Sequence, residues 1–461
     1  MADLVRRRLL HGFGANALGS IVTTLIQLVS VPVLINSWGA RLYGEWLVLI
    51  AIPTFLSMSD WGFENVAGNE MTVALAGQNR DRAVRVYKTL QAFVAVTGIV
   101  MVLIAAASLS VLPIARWLVP GGLEPRVVTI IIVALVIYVG VALQGGLIRA
   151  VFRSGGDYAV GVMYQNAARV ADAAAVIVTA IAGGGLIAAS IAMLLARVVM
   201  TVISQWQMKV RNPWIRSGMD HASRGMLREL APGIAAMMAF PLGFALSLQG
   251  MVTIIGLMLG PIAVVTFATT RTLSRFVFQL GGVISNATWP ELTFAFSKGD
   301  LPLARVLHRR GFQAVAWLTV GLAVAMGLIG SLLLQWWTRG TVPLKPLMLA
   351  LLLVVAVIDA TWTASSVASL AAGRYRGISV MYVMTTTLSL VLTAAGIHAA
   401  GVDAAPMALL VGTVIMFPYV LRASLDVTKD HVTDFLRFVI LPPSPSTLFR
   451  KRVVEAQAIP S

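Results

Sequence analysis

Long apolar runs alternate along the chain with short breaks rich in charge, glycine or proline. Twelve runs stand out, over roughly 14–36, 44–68, 89–112, 127–149, 159–182, 186–208, 233–256, 263–289, 312–334, 347–370, 378–398 and 405–422. Each is long enough to cross the ~30 Å hydrocarbon core as a helix, at about 20 residues per crossing. None shows the alternation over ~10 residues that a membrane strand needs. The pattern predicts an all-α polytopic membrane protein with 12 transmembrane helices. The longest break between inner-side segments falls after the sixth run. It divides the chain into an N-lobe over 1–208, a connector over 209–232, a C-lobe over 233–425 and a tail over 426–461.

Composition agrees and removes alternatives. Of 461 residues, 58% are hydrophobic and 12% charged, against ~45–50% and ~25% in soluble domains. A water-soluble enzyme, a disordered chain and a soluble nucleic-acid-binding domain are therefore excluded as expectations. There are no cysteines, so disulfide frameworks, thiolate-held clusters and a cysteine nucleophile are ruled out.

Charge supplies orientation. The net charge is +16, from 35 Lys+Arg against 19 Asp+Glu. With the N-terminus inside, 26 of the 35 basic residues fall in inner segments, 5 in outer loops and 4 within the runs. Such loop-by-loop bias is the positive-inside pattern. Both termini are then expected in the cytoplasm, and the excess positive charge is topology with no nucleic-acid partner behind it. Arg6, Arg7 and Arg8 precede an apolar run too long for a signal peptide and lacking a cleavage site, so that run reads as the first span.

Within the connector, Met219, Ala222, Met226, Leu227 and Leu230 recur at helical spacing among charges. This predicts a short amphipathic helix on the inner leaflet, or a plain lobe-to-lobe link. The tail ends in a proline-serine stretch and a basic run, and its last part is expected to be poorly ordered. Trp117, Trp336 and Trp337 fall near outer ends and fit an aromatic belt.

The halves echo each other. A shift of 221 places Gly39 on Gly260 and Glu70 on Glu291, and a gapped continuation sets Ala76-Gly77-Gln78 against Lys298-Gly299-Asp300. Six spans per half is even, so the two lobes are parallel repeats, an arrangement that encloses a central cavity.

Val31-Pro32-Val33-Leu34, Trp38-Gly39-Ala40-Arg41-Leu42-Tyr43-Gly44-Glu45-Trp46 and Asp60-Trp61-Gly62-Phe63, echoed by Gly256-Leu257-Met258-Leu259-Gly260, Pro290-Glu291 and Lys298-Gly299-Asp300, resemble the Wzx-type O-antigen and exopolysaccharide flippases. These belong to the multidrug/oligosaccharidyl-lipid/polysaccharide (MOP) superfamily. The resemblance implies two six-helix lobes in a V around a cavity, and translocation of an undecaprenyl-diphosphate-linked glycan across a bacterial inner membrane. It implies membrane lipids as surroundings, and polysaccharide polymerase and glycosyltransferases as partners. The related multidrug exporters share the twelve-span layout, so ion-coupled drug export is the rival reading. A glycan polymerase or ligase, a third class, would need a large outer catalytic loop, which the breaks leave no room for.

Away from the ends of the runs, eight charged residues lie inside them: Asp60, Glu64, Arg169, Asp172, Arg197, Arg271, Arg275 and Asp359. Charges cost a few kcal/mol each in hydrocarbon and face the protein interior or a wet cavity. Arg271 and Arg275, spaced i, i+4, share one helix face. They suit a diphosphate, since arginine donates in pairs to phosphate oxygens; alternatively they pair with Asp60, Glu64 or Asp359. Thr266, Thr269, Thr270, Thr272 and Ser274 make that stretch polar.

Asp60 and Glu64, also i, i+4, are candidates for a coupling proton or sodium ion, or are structural partners of arginines. Arg169 and Asp172, spaced i, i+3, read as a pair within one helix, with a cavity role for each as the other reading. Arg197 and Asp359 each need a partner the sequence does not name. Arg149, beside Arg153 at an inner mouth, could meet a diphosphate or simply set topology. Candidate substrate-binding residues are thus Arg271, Arg275, Arg169, Arg197 and Arg149, and candidate ion-coupling residues are Asp60, Glu64, Asp172 and Asp359. Pro32, Pro53 and Pro241 interrupt spans and are candidate hinges.

Enzyme chemistry has no visible basis. The five histidines are scattered without metal-ligand spacing, and there is no phosphate loop. No cofactor is expected, and any pumping would draw on an ion gradient or a partner.

Overall fold

The protein is described here by a computed structural model covering residues 2–57, 60–111, 123–215, 222–343, 345–374 and 376–441. It is helical throughout, with no strand among the described residues. The main helices are α1 (Ala2–Ser57), α2 (Asp60–Ala76), α3 (Arg80–Val111), α4 (Pro125–Ser154), α5 (Tyr158–Ile181), α6 (Leu186–Arg211) and α7 (Arg224–Ala245). A π-helical turn (Leu246–Gly250) leads into α8 (Met251–Leu259). There follow α9 (Pro261–Ser297), α10 (Leu301–Thr338), α11 (Pro346–Ala371), α12 (Arg376–Ala400), α13 (Ala404–Thr428) and the short α14 (Val432–Ile440).

Among the described residues, each of the twelve apolar runs falls almost entirely on helix. Among the described residues, seven helical stretches are long and apolar enough to cross a membrane. Neither α5 nor α9 is among them. These are the helices that carry Arg169 with Asp172 and Arg271 with Arg275, so embedded charge lowers their hydropathy.

The chain forms two compact units. Unit 1 comprises Met1–Thr269, Gln335–Pro343 and Leu390–Ala405, and unit 2 comprises Thr270–Leu334, Leu344–Ser389 and Pro406–Ser461. In unit 1 the core gathers Phe63, Met71, Leu90, Leu147, Phe152 and Met208 from α2, α3, α4 and α6. Met226 and Leu230 join this core. The expected amphipathic connector helix is therefore the first turns of α7, continuous with the span, and its apolar face packs against protein. Met219 lies outside the described residues, as do Trp117 and the tail beyond 441.

The break between the first two runs is at Gly39 (φ 73°, ψ 165°), inside α1. This backbone region is essentially reserved for glycine. Helix continues through Pro32, so the bend in α1 sits seven residues beyond that hinge candidate. The side chains of Pro53 and Pro241 lie outside the described residues.

Gly260 adopts the same conformation (φ 84°, ψ 179°), 221 positions after Gly39. The repeat persists in the next turn. Gln78 and Gly299, again 221 apart, both take positive φ (57° and 70°). The flanking bonds match, Asn79 N–H to Ala74 O at 2.8 Å and Asp300 N–H to Ala295 O at 2.9 Å. The side chains of Asn79 and Asp300 then cap α3 and α10, accepting from Arg82 N–H at 2.9 Å and Leu303 N–H at 3.0 Å. The two turns align without the gap that residue identity had called for: Gln78 stands on Gly299. Pro125 and Pro346, which open α4 and α11, keep the same spacing.

Candidate functional site

The embedded charges form one cluster in each unit. In unit 1 they come from α2, α4, α5 and α6. Glu64 receives Arg149 on a single oxygen, Nη2 at 2.7 Å and Nε at 3.1 Å, with both side chains mostly buried. Arg153 donates to Asn65 Oδ1 at 3.1 Å and Asn69 Oδ1 at 2.9 Å. The two arginines of the expected inner mouth thus lie along α2.

Asp172 forms its ion pair with Arg197 on the neighbouring helix α6, and not with Arg169 one turn away. The i, i+3 spacing of Arg169 and Asp172 therefore does not make them the ion pair expected within one helix. Asp172 is buried and faces α4 and α6, where Tyr138 donates to Asp172 Oδ2 at 2.8 Å and accepts from Arg197 Nη2 at 2.7 Å. The Arg197 guanidinium also lies 5.0 Å from the Tyr138 ring centroid. Asp172 Oδ1 and Arg197 Nε are buried with no hydrogen-bond partner among the described residues.

Arg169 forms no ion pair with a described residue, and lies within electrostatic reach of Arg149, Arg197, Glu64 and Tyr138. A cavity of about 20 Å³ lies between Arg149 and Arg197, room for a single water. The Asp60 side chain lies outside the described residues.

The unit 2 cluster comes from α9, α11, α12 and α13. Arg271 and Arg275 stack one turn apart on α9. Arg275 is within electrostatic reach of Asp359 and Tyr382. Asp359 Oδ1 accepts from Trp362 Nε1 at 2.8 Å and from the Thr413 hydroxyl. Trp362 packs against Tyr382, ring centroids 5.5 Å apart. The hydroxyls of Thr266, Thr269 and Ser274 turn back on their own helix, to Ile262 O, Val265 O and Arg271 O. Three of the five polar residues expected to line this stretch therefore satisfy backbone carbonyls, as hydroxyls in apolar surroundings do.

Four partners escaped the sequence reading. Tyr138, Thr413 and Tyr382 give no signal, each sitting in an apolar run on another helix. Trp362 lies i, i+3 from Asp359, a spacing that does mark contact. Glu45 is a further embedded charge, 3% exposed and 3.5 Å from Arg41. Of the tryptophans, Trp336 is 79% exposed, as a belt residue would be, whereas Trp337 is buried and donates to Leu28 O at 2.7 Å.

With this geometry the chain was compared with known proteins. No family model matches the sequence, and no curated protein does. Solved structures do match. An inward-facing MATE family multidrug resistance transporter of the MOP superfamily superposes with a TM-score of 0.73 at 13% identity, covering 90% of this chain and 95% of that one. The lipid II flippase MurJ, inward closed, gives 0.65 at 12%, covering 92% and 90%. A mutant of the Vibrio cholerae MATE transporter VcmN gives 0.62 at 15%, covering 94% and 99%.

This chain has the fold that these transporters and this flippase share. At such identities the likeness is one of fold alone. Together with the apolar helices it makes the chain a multi-pass membrane protein, and these neighbours are transporters and flippases, not enzymes. Within that fold, α9 carries adjacent arginines, and α11 carries a carboxylate held by neutral donors.

Proposed function

We propose that the protein is a secondary transporter that flips an undecaprenyl-diphosphate-linked oligosaccharide from the inner to the outer leaflet of a bacterial inner membrane, for polysaccharide or O-antigen synthesis. The observation that carries this reading is the Arg271–Arg275 stack. Two guanidinium groups on one face suit the oxygens of a diphosphate. A cation-exporting site would be expected to gather carboxylates there. The lipid II flippase among the fold neighbours moves a substrate of related chemistry by its printed name, which supports the same reading.

In this proposal the chain crosses the membrane twelve times, with both termini cytoplasmic, as two six-span lobes. The coincidence of the apolar runs with helix among the described residues and the matched turns at Gly39 and Gly260 favour it. Coupling falls to the unit 1 carboxylates. Asp172 keeps an oxygen without a donor among the described residues, where a proton can reside, beside Arg197, whose charge responds to it. Arg149, Arg169 and Arg197 then tune those carboxylates more than they meet substrate.

The rival is ion-coupled drug export, favoured by the MATE neighbours. One experiment separates the two. Arg271→Ala/Arg275→Ala is expected to abolish glycan export in cells, at unchanged membrane protein level. Undiminished export sinks the anion site. Drug resistance conferred by overexpression, with no glycan phenotype on deletion, establishes the rival.

A further inference from the structure

A second cavity in unit 1, of about 760 Å³, lies between α3, α4 and α6 and shares Ile148 and Thr201 with the small cavity beside Arg149 and Arg197. Its volume falls within the ~300–1,000 Å³ of small-molecule sites. Its chemistry is graded. At one end stand Lys88 and Lys209, followed by Gln91, Gln144 and Gln205, and no carboxylate is among its lining residues. Beyond them the wall is apolar, running along α3 from Val94 to Leu103.

Lys88 is 5% exposed and sits at the basic start of α3, behind Arg80, Arg82 and Arg85. Lys209 lies in the basic last turn of α6. The charged end of the cavity is thus at the polar boundary of the helices. The apolar strip from Val94 to Leu103 rises about 14 Å at 1.5 Å per residue. That is close to half of the ~30 Å hydrocarbon core, one leaflet deep.

The cavity also opens sideways. Ile99 and Leu103 line it yet are 61% and 62% exposed, on the same outward face as Val96, Val100 and Ile104. Gly98 and Gly140 both line it and let α3 and α4 approach closely, a Cβ on Gly98 meeting the Gly140 Cα at 3.4 Å.

A cavity that opens to hydrocarbon, is one leaflet deep, and is positive at the headgroup level matches a molecule with an acyl chain and an anionic phosphate head. We propose that it is a specific site for an anionic phospholipid, with an acyl chain along α3 and the phosphate between Lys88 and Lys209. The site is independent of the substrate reading above.

The test is native mass spectrometry of the full-length protein in mild detergent, with phosphatidylglycerol or phosphatidylcholine added. Phosphatidylglycerol is expected to be retained selectively, and to raise the melting temperature as a ligand of the folded state does. Lys88→Gln/Lys209→Gln should reduce its retention about 25-fold, since each basic residue near anionic lipid contributes about a factor of five. Ala95→Phe, which fills the groove and leaves both lysines, should reduce it as well. If the double variant fails to fold, Lys209→Gln decides alone, because that side chain is exposed, and it should lose about fivefold. Equal retention of the two lipids by the wild type overturns the proposal, as does undiminished retention by the variants. Displacement of phosphatidylglycerol by undecaprenyl phosphate at a lower concentration also overturns it, and assigns the groove to a polyprenyl tail.

Discussion

The two charge clusters satisfy buried carboxylates in opposite ways. In unit 1, Glu64 and Asp172 are each bonded to an arginine, Arg149 and Arg197, on a different helix. In unit 2, Asp359 is held by an indole N–H and a hydroxyl, while Arg275 acts on it from electrostatic range. A direct ion pair ties two helices together and spends both charges. Neutral donors position a carboxylate while the arginine acts on it only at electrostatic range. The first arrangement suits a switchable structural joint, and the second suits a site that holds an anion.

Breaking the joint should show the largest effect. Removing one partner of a buried ion pair leaves the other charge stranded, at a cost of about 3–5 kcal/mol. Asp172→Ala should therefore destabilise the protein by about that much in thermal or denaturant unfolding in detergent. Asp172→Ala/Arg197→Leu should recover much of the loss, because the stranded guanidinium is gone. Equal destabilisation by the single and double variants would mean that the pair is not a unit, and the comparison would fail.

Asp359 should behave differently. Asp359→Ala strands the Trp362 and Thr413 donors, each costing about 1–3 kcal/mol if buried and unmet. Asp359→Asn keeps an acceptor oxygen for them and should lie within about 1 kcal/mol of wild type. A loss from Asp359→Asn as large as that from Asp172→Ala would show that the Asp359 charge, and with it a pairing to Arg275, is structural. In that case the unit 2 cluster would be no better suited to an anion than unit 1.

A smaller effect compares the halves at their matched turn. Gln78 pays for a positive φ that Gly299 adopts freely. Gln78→Gly should stabilise by up to about 1 kcal/mol, and Gly299→Gln should destabilise by a similar amount. Opposite signs in chemical unfolding are the expected outcome; the same sign for both would mean that the turns are not equivalent.

How much of this was legible beforehand follows from what each feature depends on. Helices were readable because lipid tolerates no unpaired backbone, so long apolar runs leave one solution. The turns at Gly39 and Gly260 were readable as a spacing, but the alignment of Gln78 with Gly299 was not. That equivalence lives in backbone dihedral and hydrogen bonds, where Gln and Gly share no side-chain signal. The eight embedded charges were visible one by one. Their partners were not, because pairing is decided by how helices rotate against one another. Asp172 has an arginine one turn away on its own helix and bonds instead to Arg197, 25 residues along. Met226 and Leu230 left a similar choice open: their periodicity marks an apolar face, and periodicity does not say whether that face meets lipid or protein.

A carboxylate–arginine pair outside the spans calibrates the comparison. Asp430 follows α13 and accepts from Arg309 Nε on α10 at 2.7 Å, with Arg305 3.9 Å away. Burial pushes its carboxyl up, but the hydrogen bonds and charge of Arg309, the His431 N–H and Arg305 together outweigh that and hold it below the usual carboxylate range. A carboxyl with a lowered folded-state pKa contributes stability fully present above its unfolded value of about 3.9, and loses it as pH falls through the folded value. Wild type and Asp430→Asn should therefore differ by a constant amount from neutral pH down to about pH 5, on the order of 1 kcal/mol for a pair at the polar boundary. That difference should shrink below about pH 4. High salt should reduce it too, since the partner side chains Arg309 and Arg305 are 22% and 37% exposed and their charge is screened. The Asp172–Arg197 pair, enclosed within its unit, should keep its contribution in the same salt. If both pairs respond to salt alike, the unit 1 joint is wetter than its burial implies, and the contrast between the two clusters loses its physical basis.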